Sequence, residues 1–120
     1  HHSGQNRPTP LMLTYKKDDY NCLHQDLYGE QFFPIQGTCM LSNPDKDFKG
    51  GEFLLVEQRP RSQSVGHVVS IPHGGIVFFA TSFRPVRGTR GSYRVTMRHG
   101  VSRILSGSRF TLGIIFHDAK

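Results

Sequence analysis

No stretch of this chain keeps apolar residues at helical spacing; short apolar and β-branched runs recur instead, each ended by a turn signal. A sequence patterned this way cannot bury its apolar faces as helices. It can do so as sheets, with alternate residues pointing to opposite sides. Strands are expected over 11–15, 21–27, 32–41, 51–58, 67–71, 76–81, 93–105 and 109–118, about eight in all. The breaks between them carry turn chemistry: "SNPDKDFKGG" supplies Asn, Pro, Asp and paired Gly, "IPHGG" supplies Pro and Gly, and "SGS" reads as a tight reversal. Pro34 inside the third run marks an edge or a bulge. At 120 residues there is room for one core, and eight strands in one domain make a sandwich or barrel.

The opening "HHSG" looks like a tag remnant, so residues 1–10 are taken as tag and lead-in, residues 11–120 as the domain, and a native upstream segment is expected to be missing. No apolar run is long enough for a spanning helix, and no signal-peptide pattern is present, so no membrane partner is expected. Cys22 and Cys39 form no CxxC and, in apolar surroundings, read as two buried thiols of a reducing compartment, which makes the cytoplasm the expected location. Charge is uneven along the chain. Residues 1–57 hold five basic and eight acidic side chains, whereas residues 58–117 hold nine Arg and no acid. Such a half needs an anionic partner or serves as a solubilising face.

One short motif carries chemistry. In His24-Gln25-Asp26 the first and third residues share a strand face and can offer an imidazole nitrogen and a carboxylate oxygen to one ion. Two histidines and a carboxylate on one face of an octahedral ion leave adjacent positions open, the arrangement of non-haem Fe(II) oxygenases. The third ligand must come from far along the chain, and His99, at the head of "HGVSRIL", is the candidate. His67 and His73 lie next to turns and His117 lies near the end; these read as surface or packing residues rather than ligands.

"HQD", then "GGEF", then "HGVSRILSGSRFTLGIIF" resembles the double-stranded β-helix (jelly-roll, cupin-like) of Fe(II)- and 2-oxoglutarate-dependent dioxygenases, from residue 11 to the end. The resemblance implies His24, Asp26 and His99 as iron ligands, Arg109 as partner of the distal carboxylate of 2-oxoglutarate, Thr111 as the hydroxyl residue of an Arg-x-Ser/Thr pattern, and Tyr15 as a tyrosine touching the cosubstrate. It implies Fe(II), 2-oxoglutarate and O2 as the reagents, with succinate and CO2 released as a C–H bond is hydroxylated.

"YNCLHQDLYGE", "EQRPRSQS" and "RGTRGSYRVTMRHGVSR" resemble a bacterial group labelled as oxygenases of damaged DNA and sometimes as prolyl-hydroxylase-like. Six arginines between Arg84 and Arg103, interleaved with Phe83 and Tyr93, suit a phosphate-tracking surface, with Arg87, Arg90 and Arg94 as candidate contacts to an alkylated nucleic acid. Two departures point the other way. Alkylation-repair dioxygenases carry a second arginine where this chain has Ile115, and an asparagine where it has Leu13. A prolyl or other protein hydroxylase acting on a peptide is therefore the rival reading, and a non-catalytic ligand-binding β-barrel is the third.

Overall fold

The computed structural model describes residues 9–25 and 35–115, and among these it contains ten strands and no helix. The strands are β1 (Thr9–Lys16), β2 (Asn21–His24), β3 (Ile35–Met40), β4 (Phe48–Gly50), β5 (Phe53–Gln58), β6 (Val65–Val69), β7 (Ile76–Ala80), β8 (Phe83–Gly88), β9 (Gly91–Val101) and β10 (Ile104–Ile115). They form two antiparallel sheets. One has the order β1-β10-β3-β7 with β4 also on β10; the other has β2-β9-β5-β6 with β8 also on β9. The chain passes repeatedly from one sheet to the other, as a jelly roll requires.

Alternation along the strands dictates what lies between the sheets. Val95, Met97, His99 and Val101 of β9 are buried, while Arg94 just before them and Arg98 between them are exposed. In β10 the inward set is Arg109, Thr111 and Ile115. Tyr15, Met40, Phe48, Phe53, Ile71, Phe79, Val101 and Ile104 make one contiguous apolar cluster. Full burial of a side chain of this size contributes about 1.5–3 kcal/mol, so this cluster is the main term holding the sheets together.

Several sequence expectations need correction. "SGS" is no reversal: β10 runs through Ser106–Ser108, its pairing with β4 shifts register between Ile104 and Ser106, and Gly107, at φ 81°, lies so close to Asp47 that a Cβ would strike the Asp47 carbonyl oxygen. The register shift lets one long strand pair with β4 at its start and with β1 and β3 further on. The expected 93–105 run is divided instead at Ser102-Arg103, where the chain leaves one sheet for the other. Strands β4 and β8 were not expected. β8 contains Pro85, but among the described residues it pairs only with β9, so its other edge tolerates a missing N–H. The third strand begins at Ile35; residues 26–27, 32–34 (Pro34 among them) and 116–118 of the expected strands lie outside the described residues. Cys22, expected to be buried, is exposed.

Two glycines shape the region of the site. Gly51 has φ 62°, and a Cβ there would collide with Ile104 Cδ1 and stand 3.0 Å from Arg109 Cδ, so "GGEF" is a backbone cradle for the Arg109 stem. Gly100 lies against β2, where a Cβ would come 2.5 Å from the Asn21 carbonyl oxygen. Its missing side chain lets β2 approach β9 beside His99.

Candidate metal and cosubstrate pocket

The paired strands β2 and β9 bring His24 opposite His99 in register. Their rings are 4.3 Å apart, centroid to centroid, at 53°. His24 Nδ1–H donates to the Cys22 carbonyl at 2.6 Å, which fixes the tautomer that carries its lone pair on Nε2. A ring held this way by a backbone carbonyl is typical of metal-ligating histidine. His99 is buried between Phe79, at 4.7 Å, and Phe53, at 6.2 Å between ring centroids. Asp26 lies outside the described residues, and among the described residues no three His, Cys, Asp or Glu side chains gather as a metal cluster.

Both histidines line a cavity of about 180 Å³ between the sheets, and Arg109, Thr111 and Tyr15 line it too. Its volume is below the roughly 300–1,000 Å³ of drug-sized sites and suits a small ligand. Tyr15 of β1 pairs with Arg109 of β10, and Leu13 with Thr111. Side chains directly opposite on adjacent strands share a face, so these point together into the cavity. Asn21 Nδ2 donates to the Tyr15 hydroxyl at 3.2 Å, tying β2 of one sheet to β1 of the other.

Arg109 is 1% exposed. Its guanidinium carbon lies 5.5 Å from the Tyr15 ring centroid and 5.9 Å from that of Phe48. Burial pushes its pKa below the ordinary arginine value, an effect opposed by Tyr15. Among the described residues no carboxylate pairs with it, and its buried Nε has no hydrogen-bond partner. A buried cation in that condition costs several kcal/mol unless an anion joins it. The planar fork of donors fits a carboxylate through two parallel hydrogen bonds. The chemistry of this donor set therefore fits a small dicarboxylate at the Arg109 end and a metal ion at the histidine end.

Three polar residues of the pocket carried no sequence signal. Asn21, Gln36 and Thr38 line it, the last two buried on β3 and facing inward with Thr111. Strand parity could have placed Gln36 and Thr38 together, but their partners on β10 were not readable without the register Thr38↔Gly113 and Gln36↔Ile115.

A second polar cluster lies on the same inner face of the β2-β9-β5-β6 sheet. Leu55 pairs with His99 and Glu57 with Met97, so Glu57 stands one inward step beyond the histidine. The carboxylate receives His67 Nε2–H at 2.7 Å and Arg84 Nη2 at 3.0 Å, with Arg59 Nε at 3.7 Å. The His67 hydrogen bond lowers the Glu57 pKa most, burial works against it, and the two arginines lower it further. His67 is thus a partner of Glu57 rather than a solitary surface residue, and the arginine-rich half is not wholly unscreened. Arg103 is committed as well: it donates to the Asp18 carbonyl at 3.0 Å and lies 4.7 Å over the Tyr20 ring. The sequence candidates Arg87, Arg90 and Arg94 are all exposed. Arg87 and Arg94 share the parity of Arg98, on the side of the sheet opposite His99; Arg90 sits in the β8–β9 turn.

A protein family described as an oxygenase catalysing oxidative methylation of damaged DNA matches residues 1–119. The chain belongs to this oxygenase family. Two uncharacterized proteins, from two strains of Mycobacterium tuberculosis, are each 55% identical over 119 residues, which is 99% of this chain and 51% of theirs. The chain thus spans about half the length of the curated relatives it matches. A prolyl-4-hydroxylase from Pseudomonas putida superposes with a TM-score of 0.62 at 17% identity, covering 92% of this chain and 52% of that one. An oxidoreductase of the 2OG-Fe(II) oxygenase family from Burkholderia pseudomallei gives 0.63 at 16% identity, covering 90% and 41%. Both share the fold of the oxygenase chain described here, a jelly-roll core of two antiparallel sheets. Among the described residues no helix is long and apolar enough to cross a membrane.

Proposed function

We propose that the chain is the catalytic core of an Fe(II)- and 2-oxoglutarate-dependent dioxygenase acting on alkylated DNA. His24, Asp26 and His99 hold the iron, and Arg109 holds the distal carboxylate of 2-oxoglutarate, with Thr111 and Tyr15 beside it. The observation that carries this reading is Arg109: a buried cation without an anionic partner among the described residues, in the same cavity as the His24–His99 pair. Fe(II) with 2-oxoglutarate and O2 supplies hydroxylation of a C–H bond coupled to decarboxylation of the oxo acid. The chain's own residues orient the cosubstrate through Arg109 and exclude water with Phe53, Phe79 and Val101, which line the cavity beside the histidines. On an N-methyl base, insertion of one oxygen atom gives N–CH2OH, which collapses to formaldehyde and the unmethylated N–H, while the second oxygen atom leaves in succinate.

A peptide substrate is the second reading, favoured by Leu13 and Ile115. Both line the cavity, at the two positions where the resemblance to alkylation-repair enzymes calls for asparagine and arginine. The full-length protein, given Fe(II), 2-oxoglutarate and methylated single-stranded DNA, is expected to release formaldehyde and succinate in equal amounts. Oxygen-bearing peptides from a cell extract without any formaldehyde from the DNA would favour prolyl or protein hydroxylation instead. No succinate with either substrate would leave a ligand-binding barrel.

A further inference from the structure

The β5–β6 and β8–β9 hairpins carry the β2-β9-β5-β6 sheet on from His99 to turns at 59–64 and 89–90. Eight residues of β9, Gly91–Arg98, precede His99. At about 3.4 Å per residue they span roughly 27 Å. Alternate residues of these hairpins share the face of His99, and that side leads from the turns to the histidines.

That side is built as a cationic lane. Nearest the histidines, Glu57 is 5% exposed and grips His67, Arg84 and Arg59, each about half exposed. The single carboxylate offsets one of the two guanidinium charges, leaves the other uncompensated, and fixes the directions of both. Further out, Arg59 also lines a groove of about 420 Å³ between the two hairpin turns, together with Arg61, Arg90 and Tyr93. Among the described residues no acidic one lines it. Arg61 is held at φ 54°, an uncommon backbone state for a residue with a side chain, in a turn braced by Gln58 Nε2 donating to the Ser62 carbonyl at 2.6 Å. Arg59 and Tyr93 have the inward parity of Glu57 and His99, so groove and pocket open on one face.

We propose that this face guides a single nucleic-acid strand to the pocket, Arg59, Arg61 and Arg90 contacting phosphates, Tyr93 offering a ring for a base to stack on, and Glu57 serving as the positioning residue for Arg59 and Arg84. The inference rests on the DNA reading above and names the residues that feed it. It differs from a general basic surface, because Arg87 and Arg94 on the opposite side of the sheet take no part. Phosphate contacts orient the strand and stacking tolerates any base, so the lane is sequence-independent.

The test uses the full-length protein and a labelled, unmethylated single-stranded oligothymidylate, with binding followed by fluorescence anisotropy across salt concentrations. Each phosphate contact to a single strand contributes about −0.7 to the slope of log affinity against log salt. Replacing Arg59, Arg61 and Arg90 together by Ala is expected to flatten the slope by about two units and to weaken binding at least about tenfold at low salt. The pair Arg87→Ala with Arg94→Ala is expected to leave both unchanged. Glu57→Gln separates positioning from charge counting: removing a negative charge should tighten binding if charge alone matters, whereas loss of positioning weakens it. Tighter binding by Glu57→Gln overturns its role. A slope carried by Arg87 and Arg94, with the groove triple silent, overturns the lane but leaves the DNA reading standing. Failure of the parent to bind the oligonucleotide, with hydroxylation of peptides instead, overturns both.

Discussion

Asp26→Ala is expected to weaken Mn(II) binding at least about 100-fold, the upper end of what loss of a mere outer-shell partner costs a metal site. Mn(II) stands in for Fe(II) because it accepts the same two-histidine, one-carboxylate face without oxidising. The expectation rests on the pairing of His24 with His99 and on the 2.6 Å hydrogen bond from His24 Nδ1 to the Cys22 carbonyl; as proposed, these two rings would supply two nitrogens to an ion that still needs one anionic ligand. Asp26 stands two residues after His24 and is the nearest carboxylate to it in sequence. Calorimetric titration checks it. Retention of parent-like affinity by Asp26→Ala, with affinity lost in His99→Ala, would move the carboxylate ligand elsewhere.

The second large effect separates stability from function at Arg109. The unliganded protein keeps a guanidinium desolvated without a carboxylate partner among the described residues, compensated in part by the Tyr15 and Phe48 rings at 5.5 and 5.9 Å. Such cation–π contacts contribute about 0.5–2 kcal/mol, less than the several kcal/mol of desolvation. Arg109→Met keeps the stem that packs against Gly51 and removes the charge. Its unliganded form is therefore expected to melt no lower than the parent. Affinity for 2-oxoglutarate should fall by about 30-fold or more, since breaking a buried charge-assisted pair costs about 2–5 kcal/mol. Thermal melts with and without 2-oxoglutarate read both effects. A variant that melts far below the parent, yet is stabilised by 2-oxoglutarate as the parent is, would make Arg109 structural only.

Much of this site could be read before any coordinates. The i, i+2 spacing of His24 and Asp26 needs only strand parity, and the likeness of "HGVSRILSGSRFTLGIIF" to a known family placed His99, Arg109 and Thr111 as candidates that the sheets then bring to one cavity, Asp26 excepted as outside the described residues. Tyr15 was readable for the same reason, and the β1–β10 register pairs it with Arg109. Other features were not legible, for identifiable reasons. β8 holds Pro85 and ends in Gly88, so it reads as loop unless one knows that it is an edge strand. Ser-Gly-Ser has turn composition, yet it lies inside β10, where Gly107 takes a positive φ against the backbone of Asp47 and Phe48. The Glu57 cluster joins residues 10 and 27 positions apart, and only the β5–β6 and β8–β9–β5 pairings bring them together.

The most direct test of the central claim, that His24, Asp26 and His99 hold a metal while Arg109 holds 2-oxoglutarate in the same cavity, is to titrate 2-oxoglutarate into the full-length protein with and without Mn(II). If one cavity takes both, the oxo acid reaches the ion with its keto and adjacent carboxylate oxygens while Arg109 takes the far carboxylate. Binding should then be at least about tenfold tighter with the metal, and by linkage 2-oxoglutarate should tighten Mn(II) by the same factor. Equal affinity with and without Mn(II), or no binding in either case, would contradict it.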